Sequence, residues 1–513
     1  MPTEIELRFR LRADLLTRLG RHPALTRAIA APKVTSHLRA TYYDTEKHEL
    51  SAHRLGLRVR REGGRYIQTA KRDTDESAAR GERDEWSCVL PTPVPDLRRL
   101  RARPLAEAMN GAVSKALLPV FGTDVRRTTW RVRGNNGALI EVALDRGQLV
   151  AGKRTQAIHE AEFELKKGGP AGLYAFALAV HREAVPLVLE PESKAARGYA
   201  LATERAPAPH YAQDVPLAPP MTAEEACKTV FRNCLDQILG SQAAAADGTD
   251  PEGVHQVRVG IRRFRAALNV FKDFLPGARR REVSDELRWL AQELGPAREW
   301  DVLIGDTIAP ALAAAPDDAL LARILDSARA QQVAAYRKLR RAFASPRHTD
   351  LMLAVMLWLA EDWRASGKGG RAKRLGQPIA IHAWRVLQRA DHRLRGLAER
   401  VADLEPDERH AIRIAAKKAR YAAEFLAALA PPRAIAPYVK ALKKVQEEFG
   451  RANDQTRAEA LLASLDIGGE APSRDLIARL IHQGGGDARP RLKGAWAGYQ
   501  RTMPIHVALG HKA

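Results

Sequence analysis

Along the first 200 residues, polar and apolar positions alternate in short runs, the two-residue period of half-buried strands. The clearest runs are Glu4–Leu11, Gly56–Arg61, Arg65–Ala70, Glu82–Leu90, Thr128–Val132, Leu139–Leu144 and Glu160–Lys166. Turn-forming residues separate several of them, among them Glu62-Gly63-Gly64 and Gly134-Asn135-Asn136-Gly137. Helical patterns interrupt the series at about 13–30, 105–117 and 170–184. Residues 206–220 are proline-rich and suit an extended linker. Beyond them the period becomes helical, with loops near 247–253, 365–378, 430–435 and 467–473.

The helical half repeats itself. His255-Gln-Val-Arg258-Val-Gly-Ile-Arg262-Arg263-Phe-Arg265 aligns with His410-Ala-Ile-Arg413-Ile-Ala-Ala-Lys417-Lys418-Ala-Arg420, an offset of 155. Glu293-Leu-Gly295 aligns with Glu448-Phe-Gly450 at the same offset. Two matches at one offset predict two similar helical bundles.

Length and charge sharpen this picture. A chain of 513 residues is too long for one core. Lys and Arg number 83 against 61 Asp and Glu, a formal charge of +22 that both halves share. Such an excess calls for an anionic partner: nucleic acid, an acidic membrane surface or another polyanion. Cys88, Cys227 and Cys234 show neither a disulfide framework nor metal-ligand spacing, which suits a reducing, cytoplasmic setting. Glu4, Glu6 and Arg8 stand where the apolar run of a signal peptide would begin. Apolar stretches such as Leu351 to Ala360 are too short to span a bilayer.

In the strand Glu4-Ile-Glu6-Leu-Arg8-Phe-Arg10, every charged side chain falls on one face. Similar rows recur at Arg58 and Arg60, Thr69 and Lys71, Arg83 and Glu85, Glu141 and Asp145, and Glu160, Glu162, Glu164 and Lys166. One such row is a solvated sheet face. Several together, mixing acid and base, suit a metal–phosphate complex, since carboxylates hold hard cations and Arg and Lys hold phosphate. Closing about eight such strands into a barrel would put the rows in its lumen.

These residues carry a resemblance. Glu4-x-Glu6-x-Arg8 is similar to the Glu-x-Glu-x-Lys signature of the CYTH domain, the triphosphate tunnel metalloenzyme fold. Tyr42-Tyr43-Asp44-Thr45, Leu57-Arg58-Val59-Arg60, Thr69-Ala70-Lys71 and Ser193-Lys194-Ala195-Ala196-Arg197-Gly198-Tyr199 also match, in the family's order. With a helical domain behind, residues 1–203 resemble bacterial inorganic triphosphatases. The resemblance implies that Glu4, Glu6, Glu162 and Glu164, with Glu160, bind Mg2+ or Mn2+. It implies that Arg58, Arg60, Lys71, Arg127, Lys194 and Arg197 hold inorganic triphosphate, with Arg8 in the signature position. Glu4, Glu6 and Lys194 would then be catalytic. The departure is Arg8, which keeps the charge of the signature Lys but is larger and cannot lose its proton.

In the helical half, His255, Arg258, Arg262 and Arg265 share one helix face, and Val257, Ile261, Phe264 and Leu268 form a separate apolar stripe. His410, Arg413, Lys417 and Arg420 repeat the basic stripe. Like charges at these steps cost a few tenths of a kcal/mol per pair, so a stripe repeated twice favours a ligand that neutralises it. Residues 222–506 resemble a CHAD domain, whose basic helices bind inorganic polyphosphate without catalysis. The resemblance extends the binding set to Arg263 and Lys418.

The expected architecture is therefore α+β. An antiparallel eight-stranded β tunnel (1–203) is followed by a linker (204–221) and an all-α double bundle (222–506). The expected function is metal-dependent hydrolysis of inorganic triphosphate, with polyphosphate binding and an association with polyphosphate granules. A tunnel acting on an organic triphosphate as hydrolase or cyclase, and an inactive polyphosphate scaffold, stay open as alternatives. Specific nucleic-acid binding would want exposed aromatics or a recognition motif beside the basic stripe, and the sequence offers neither.

Overall fold

A computed structural model describes residues 3–26, 29–73, 82–100, 116–134, 137–366, 369–397, 406–467, 470–481 and 488–503. The expected helix at 105–117 falls almost wholly outside them. The chain packs as two compact units. One comprises Met1–His210, Asp236–Gly253 and Arg340–Glu361; the other comprises Tyr211–Leu235, Val254–Leu339 and Asp362–Ala513.

The first unit is built on nine strands: β1 (Thr3–Arg10), β2 (Ile29–Asp44), β3 (Leu55–Glu62), β4 (Arg65–Asp73), β5 (Glu82–Leu90), β6 (Leu118–Arg133), β7 (Leu139–Ala151), β8 (Arg154–Lys167) and β9 (Val188–Leu189). Their order is β5-β4-β3-β2-β6-β7-β8-β1-β9, with β5 also pairing to β1. The expected eight-stranded tunnel is thus present, closed by antiparallel pairs throughout. The two-residue β9 lies outside the ring. One edge of β1 is shared, with Thr3–Ile5 on β5 and Phe9–Arg10 on β9.

Alternation decides which side chains face in. On β1 and β8, Leu7, Phe9, Ala161 and Phe163 are buried on the outer face. There Phe163 meets Phe9 at 5.3 Å and Phe176 at 5.4 Å. Truncating such a ring to Ala costs about 3–5 kcal/mol. The interposed helices cover this face: α1 (Ala13–Leu19), α2 (Pro170–Glu183) and α3 (Lys194–Thr203) among those of seven residues or more. Glu62 pairs with Arg65 across a two-residue loop in which Gly63 and Gly64 both have positive φ, 53° and 84°. That is the mirror-image turn that matches strand twist and that glycine adopts without strain.

The helical elements confirm the repeat. Counting helices of seven residues or more, α4 (Ala223–Gly240), α5 (Glu252–Val270) and α6 (Gly277–Leu303) correspond at an offset of about 155 to later ones. Those are α9 (Ile379–Arg395), α10 (Pro406–Phe425) and the pair α11 (Pro432–Glu448) and α12 (Arg451–Ala463). The intervening α7 (Ala319–Phe343) and α8 (Pro346–Ala360) complete the first set; α13 (Arg474–Ile481) and α14 (Ala488–Gln500) complete the second. Even the short 3-10 turns at Lys272–Phe274 and Ala427–Leu429 coincide, as do the extended prolines Pro276 and Pro431 that start α6 and α11. The main difference is a break at Phe449-Gly450, where α6 runs on unbroken. Among the described residues, no helix is long and apolar enough to cross a membrane.

Candidate functional site

The inward rows of the first unit line a cavity of about 420 Å3. β1 supplies Glu4, Glu6 and Arg8; β3 supplies Arg58 and Arg60; β8 supplies Glu162, Glu164 and Lys166. Lys71, Glu85, Arg127 and Glu141 come from the strands between, and Lys194 comes from the first turn of α3. Register sets the neighbours: Glu6 lies across from Glu164, Arg8 across from Glu162, and Glu141 across from Glu164. Lys71 is paired with Glu85 and Arg127 with Asp145.

The carboxylates divide into two groups. Glu4, Glu6 and Glu164 bring one oxygen each to within 4.8 Å of one another. Burial, then the nearby Glu6, pushes the Glu4 carboxyl up to about 7. Burial also raises Glu164, helped by Glu6 and Glu141. Three carboxylates crowded in this way are an oxygen donor set suited to a hard divalent cation, so these residues fit a metal.

The second group is already neutralised. Lys194 Nζ lies 2.9 Å from Asp145 and from Glu160, and also bonds Glu162. Arg127 grips Asp145 through Nε at 2.7 Å and Nη2 at 2.6 Å, and reaches Glu162 as well. Burial opposes ionisation of Glu162, but Arg127 and Lys194 outweigh it and hold its carboxyl well below the usual range. By the same balance Asp145, Glu160 and Glu162 keep Lys194 above the ordinary lysine range, against a burial that would lower it.

The five carboxylates named as a metal set from the sequence are therefore not equivalent. Glu160 lies outside the cavity lining, held by Lys194 and Arg197, and Glu162 is engaged by cations. Arg197, named as a triphosphate ligand, does not line the cavity either; it pairs with Glu160. Arg8 donates to Glu6 at 3.3 Å and to the Pro191 carbonyl at 2.7 Å. The cavity is also lined by Glu85, Glu141 and Lys166, with Asp145 just behind; the sequence placed all four in the charged rows but gave none of them a metal or phosphate role. Their alternation was visible, but the cross-strand pairing that brings them in was not. Lys71 sits between Glu4 (2.6 Å) and Glu85 (3.0 Å). Burial opposes ionisation of Glu85, yet Lys71 and Arg58 hold it near 2.

In the second unit the basic stripes of α5 and α10 meet. Burial lowers the Lys417 ammonium to about 7, and repulsion from Arg262, Arg413, Arg420 and Arg265 adds to the effect. Arg258 falls to about 10 through burial and then Arg262. Arg258 and Arg413 lie over the glycines of the repeat. Arg258 Nη1 is 3.5 Å from where a Cβ of Gly295 would stand, and Arg413 Nε is 3.1 Å from that of Gly450. Arg258 also donates to the Ala291 carbonyl at 2.6 Å. Arg420 pairs with Glu424 at 2.8 Å. His255 is half-buried and His410 exposed. The two residues that the resemblance added to the binding set lie away from these stripes. Arg263 is buried against Phe425 and donates to Asn233, and Lys418 faces Arg393 and Lys272. Asp301 accepts from Gln332 and Tyr336 inside the first bundle, a structural role.

Residues 2–199 match the CYTH domain family and residues 229–463 match the CHAD domain family. The chain is a two-domain CYTH–CHAD protein. It is 34% identical over 166 residues to the inorganic triphosphatase of Haemophilus influenzae, covering 32% of this chain and 46% of that relative. It therefore spans less than half the length of that protein. It is 26% identical over 412 residues to an uncharacterised protein of Mycobacterium tuberculosis H37Rv, 76% of each. Among solved structures, the CHAD domain of the plant Ricinus communis is 30% identical with a TM-score of 0.44, covering 60% of this chain and 98% of that one.

Proposed function

We propose that the tunnel hydrolyses inorganic triphosphate to pyrophosphate and phosphate with Mg2+ or Mn2+, and that the α5–α10 groove binds inorganic polyphosphate. The observation that carries the hydrolase reading is one cavity in which Glu4, Glu6 and Glu164 converge beside Arg58, Arg60, Lys71 and Arg127. The name of the Haemophilus influenzae relative supports it. A divalent cation held by the three carboxylates would supply positive charge to phosphate oxygens and lower the pKa of water. The protein's own groups do the rest. Arg58 and Arg60, whose buried Nε atoms have no hydrogen-bond partner among the described residues, bind non-bridging oxygens. Arg8 replaces a point charge with a planar fork, fixed by Glu6 and the Pro191 carbonyl. Lys194, kept protonated, presents its charge to the phosphate chain. The oxygen of water bonds to a terminal phosphorus while the bridging P–O bond opposite breaks. The charge gathering on the departing pyrophosphate is met by preorganised cations. The groove reading rests on the cations around Lys417. A cytoplasmic location and association with polyphosphate granules belong to it.

The test is phosphate release from inorganic triphosphate with Mg2+ or Mn2+, beside ATP, thiamine triphosphate and long polyphosphate. Metal-dependent release from triphosphate, lost in Glu4→Gln/Glu6→Gln, is the expected result. No release from any substrate, with polyphosphate binding intact, would replace the hydrolase by a scaffold.

A further inference from the structure

α3 carries Lys194 in its first turn, and the position of that ammonium depends on what fixes the helix. Its start is capped by Ser193, whose Oγ accepts from the Ala196 N–H at 3.0 Å. Further along, Tyr199 donates its hydroxyl to Asp44 Oδ2 at 2.9 Å. Asp44 is fully buried and is itself oriented by backbone donors: Thr45 N at 2.7 Å, Leu50 N at 2.8 Å and Ser51 N at 2.9 Å. The acceptor is thus set by the β2–β3 connection and does not rely on the helix. Burial and the Asp44 carboxylate push the Tyr199 phenol up, so it stays a donor. The ring of Tyr199 stands edge-on to Phe121 at 5.2 Å, and Phe121 stacks on Tyr42 at 4.4 Å. At the neighbouring position a Cβ on Gly198 would come within 2.0 Å of the Phe121 ring, so only glycine lets the helix lie this close. Elsewhere along the helix, Arg197 pairs with Glu160.

We propose that Asp44 and Tyr199 are positioning residues for the tunnel reaction: their hydrogen bond fixes the seat of α3 on the barrel and so places the Lys194 ammonium among Asp145, Glu160 and Glu162. The inference rests on the triphosphatase reading for its catalytic consequence. It assigns a task to two sequence runs, Tyr42-Tyr43-Asp44-Thr45 and Gly198-Tyr199, that contribute none of the metal-site carboxylates or phosphate-facing cations described above. Misplacing a catalytic group by about 1 Å can cost about a hundredfold in rate, so a tether of this kind is felt without touching substrate.

The test is a double-mutant cycle of Tyr199→Phe and Lys194→Ala in the full chain. It is read on kcat/KM for inorganic triphosphate and on the calorimetric affinity for it. Tyr199→Phe keeps the ring against Phe121 and removes only the hydroxyl. The expected result is a drop in kcat/KM of about tenfold, with the metal concentration for half-activation unchanged, and no further drop when Lys194 is already Ala. Effects that multiply in the double variant, or a loss below twofold, overturn the tether. A wild type that hydrolyses nothing sinks the hydrolase reading instead. The tether then stands or falls on amide hydrogen exchange: about tenfold faster in 194–203 of Tyr199→Phe, with β1 and β8 unchanged, supports it, and unchanged exchange in 194–203 refutes it. Asp44→Asn, should it fold, reproduces the Tyr199→Phe phenotype.

Discussion

The tunnel and the groove are both rich in cations, and they treat them in opposite ways. In the tunnel Lys194 is surrounded by three acids and its proton is held tightly. In the groove Lys417 is surrounded by four arginines and its proton is held loosely. In the tunnel the acids around Lys194 are already matched by Lys194, Arg127 and Arg197, and Glu4, Glu6 and Glu164 stand apart from them. The groove gathers like charges around Lys417, with acids such as Glu424 only at its side, and on the proposed reading an added polyanion would relieve that repulsion. A reaction site benefits from charges fixed before the substrate arrives, whereas a binding surface gains affinity from relieving its own strain.

The sharpest way to separate them is Glu4→Gln/Glu6→Gln. Triphosphate hydrolysis should fall on the order of 10³-fold while polyphosphate binding holds, read by phosphate release and calorimetry. A common substitution then exposes the opposite electrostatics. Lys194→Met leaves three buried carboxylates with only Arg127 and Arg197 to neutralise them and should cost about 3 kcal/mol in denaturant unfolding. Lys417→Met removes a repelled charge and should raise the melting temperature by a few degrees at pH 6, about 1 kcal/mol. Shifts of the same sign in both variants would erase the contrast. Next in size, Arg262→Glu/Lys417→Glu should weaken polyphosphate about a hundredfold and flatten its salt dependence, with triphosphatase activity within about twofold of wild type.

The smallest effect is a pH dependence. Because the folded Lys417 titrates near 7, below the ordinary lysine value, its charge destabilises the free domain at low pH. Stability therefore rises as pH climbs from about 7 towards the unfolded lysine value of about 10.4. A bound polyanion restores the proton, so affinity should fall up to about tenfold per pH unit above 7 and level off below it. Calorimetry in buffers of different ionisation enthalpy should show proton uptake, and Lys417→Arg should abolish it.

Much of this was legible because alternation is a local property. β1, β3, β4, β5, β7 and β8 announced themselves, and the repeat offset carried through to the 3-10 turns. β2 did not, because its first half is mostly exposed and shows no period; where one helix was expected at 13–30 there are two short ones, Ala13–Leu19 and Pro23–Thr26, and β2 has begun by Ile29. β9 has only two residues, too short to leave a pattern. In the site, the signature residues were readable one strand at a time. Which acids would be left for a metal was not, since that depends on Lys194 and Arg127 reaching Asp145, Glu160 and Glu162 from other elements. Arg263, which the resemblance added to the binding set, lies one helix step from the basic stripe, and its guanidinium turns inward over Phe425.

The shared edge of β1 has a consequence in time. β1 is first among the strands in sequence, yet its partners are β5, β8 and β9, the last of them ending at Leu189. During synthesis the carboxylates of Glu4 and Glu6 must wait until some 160 further residues have emerged before Glu164 can sit opposite Glu6. Ring closure of this kind belongs to the slow, non-local class of folding events. Until the seam is sewn, β1 offers two open edges to any neighbouring strand, so the nascent chain is most exposed to mispairing over the segment that carries Glu4 and Glu6.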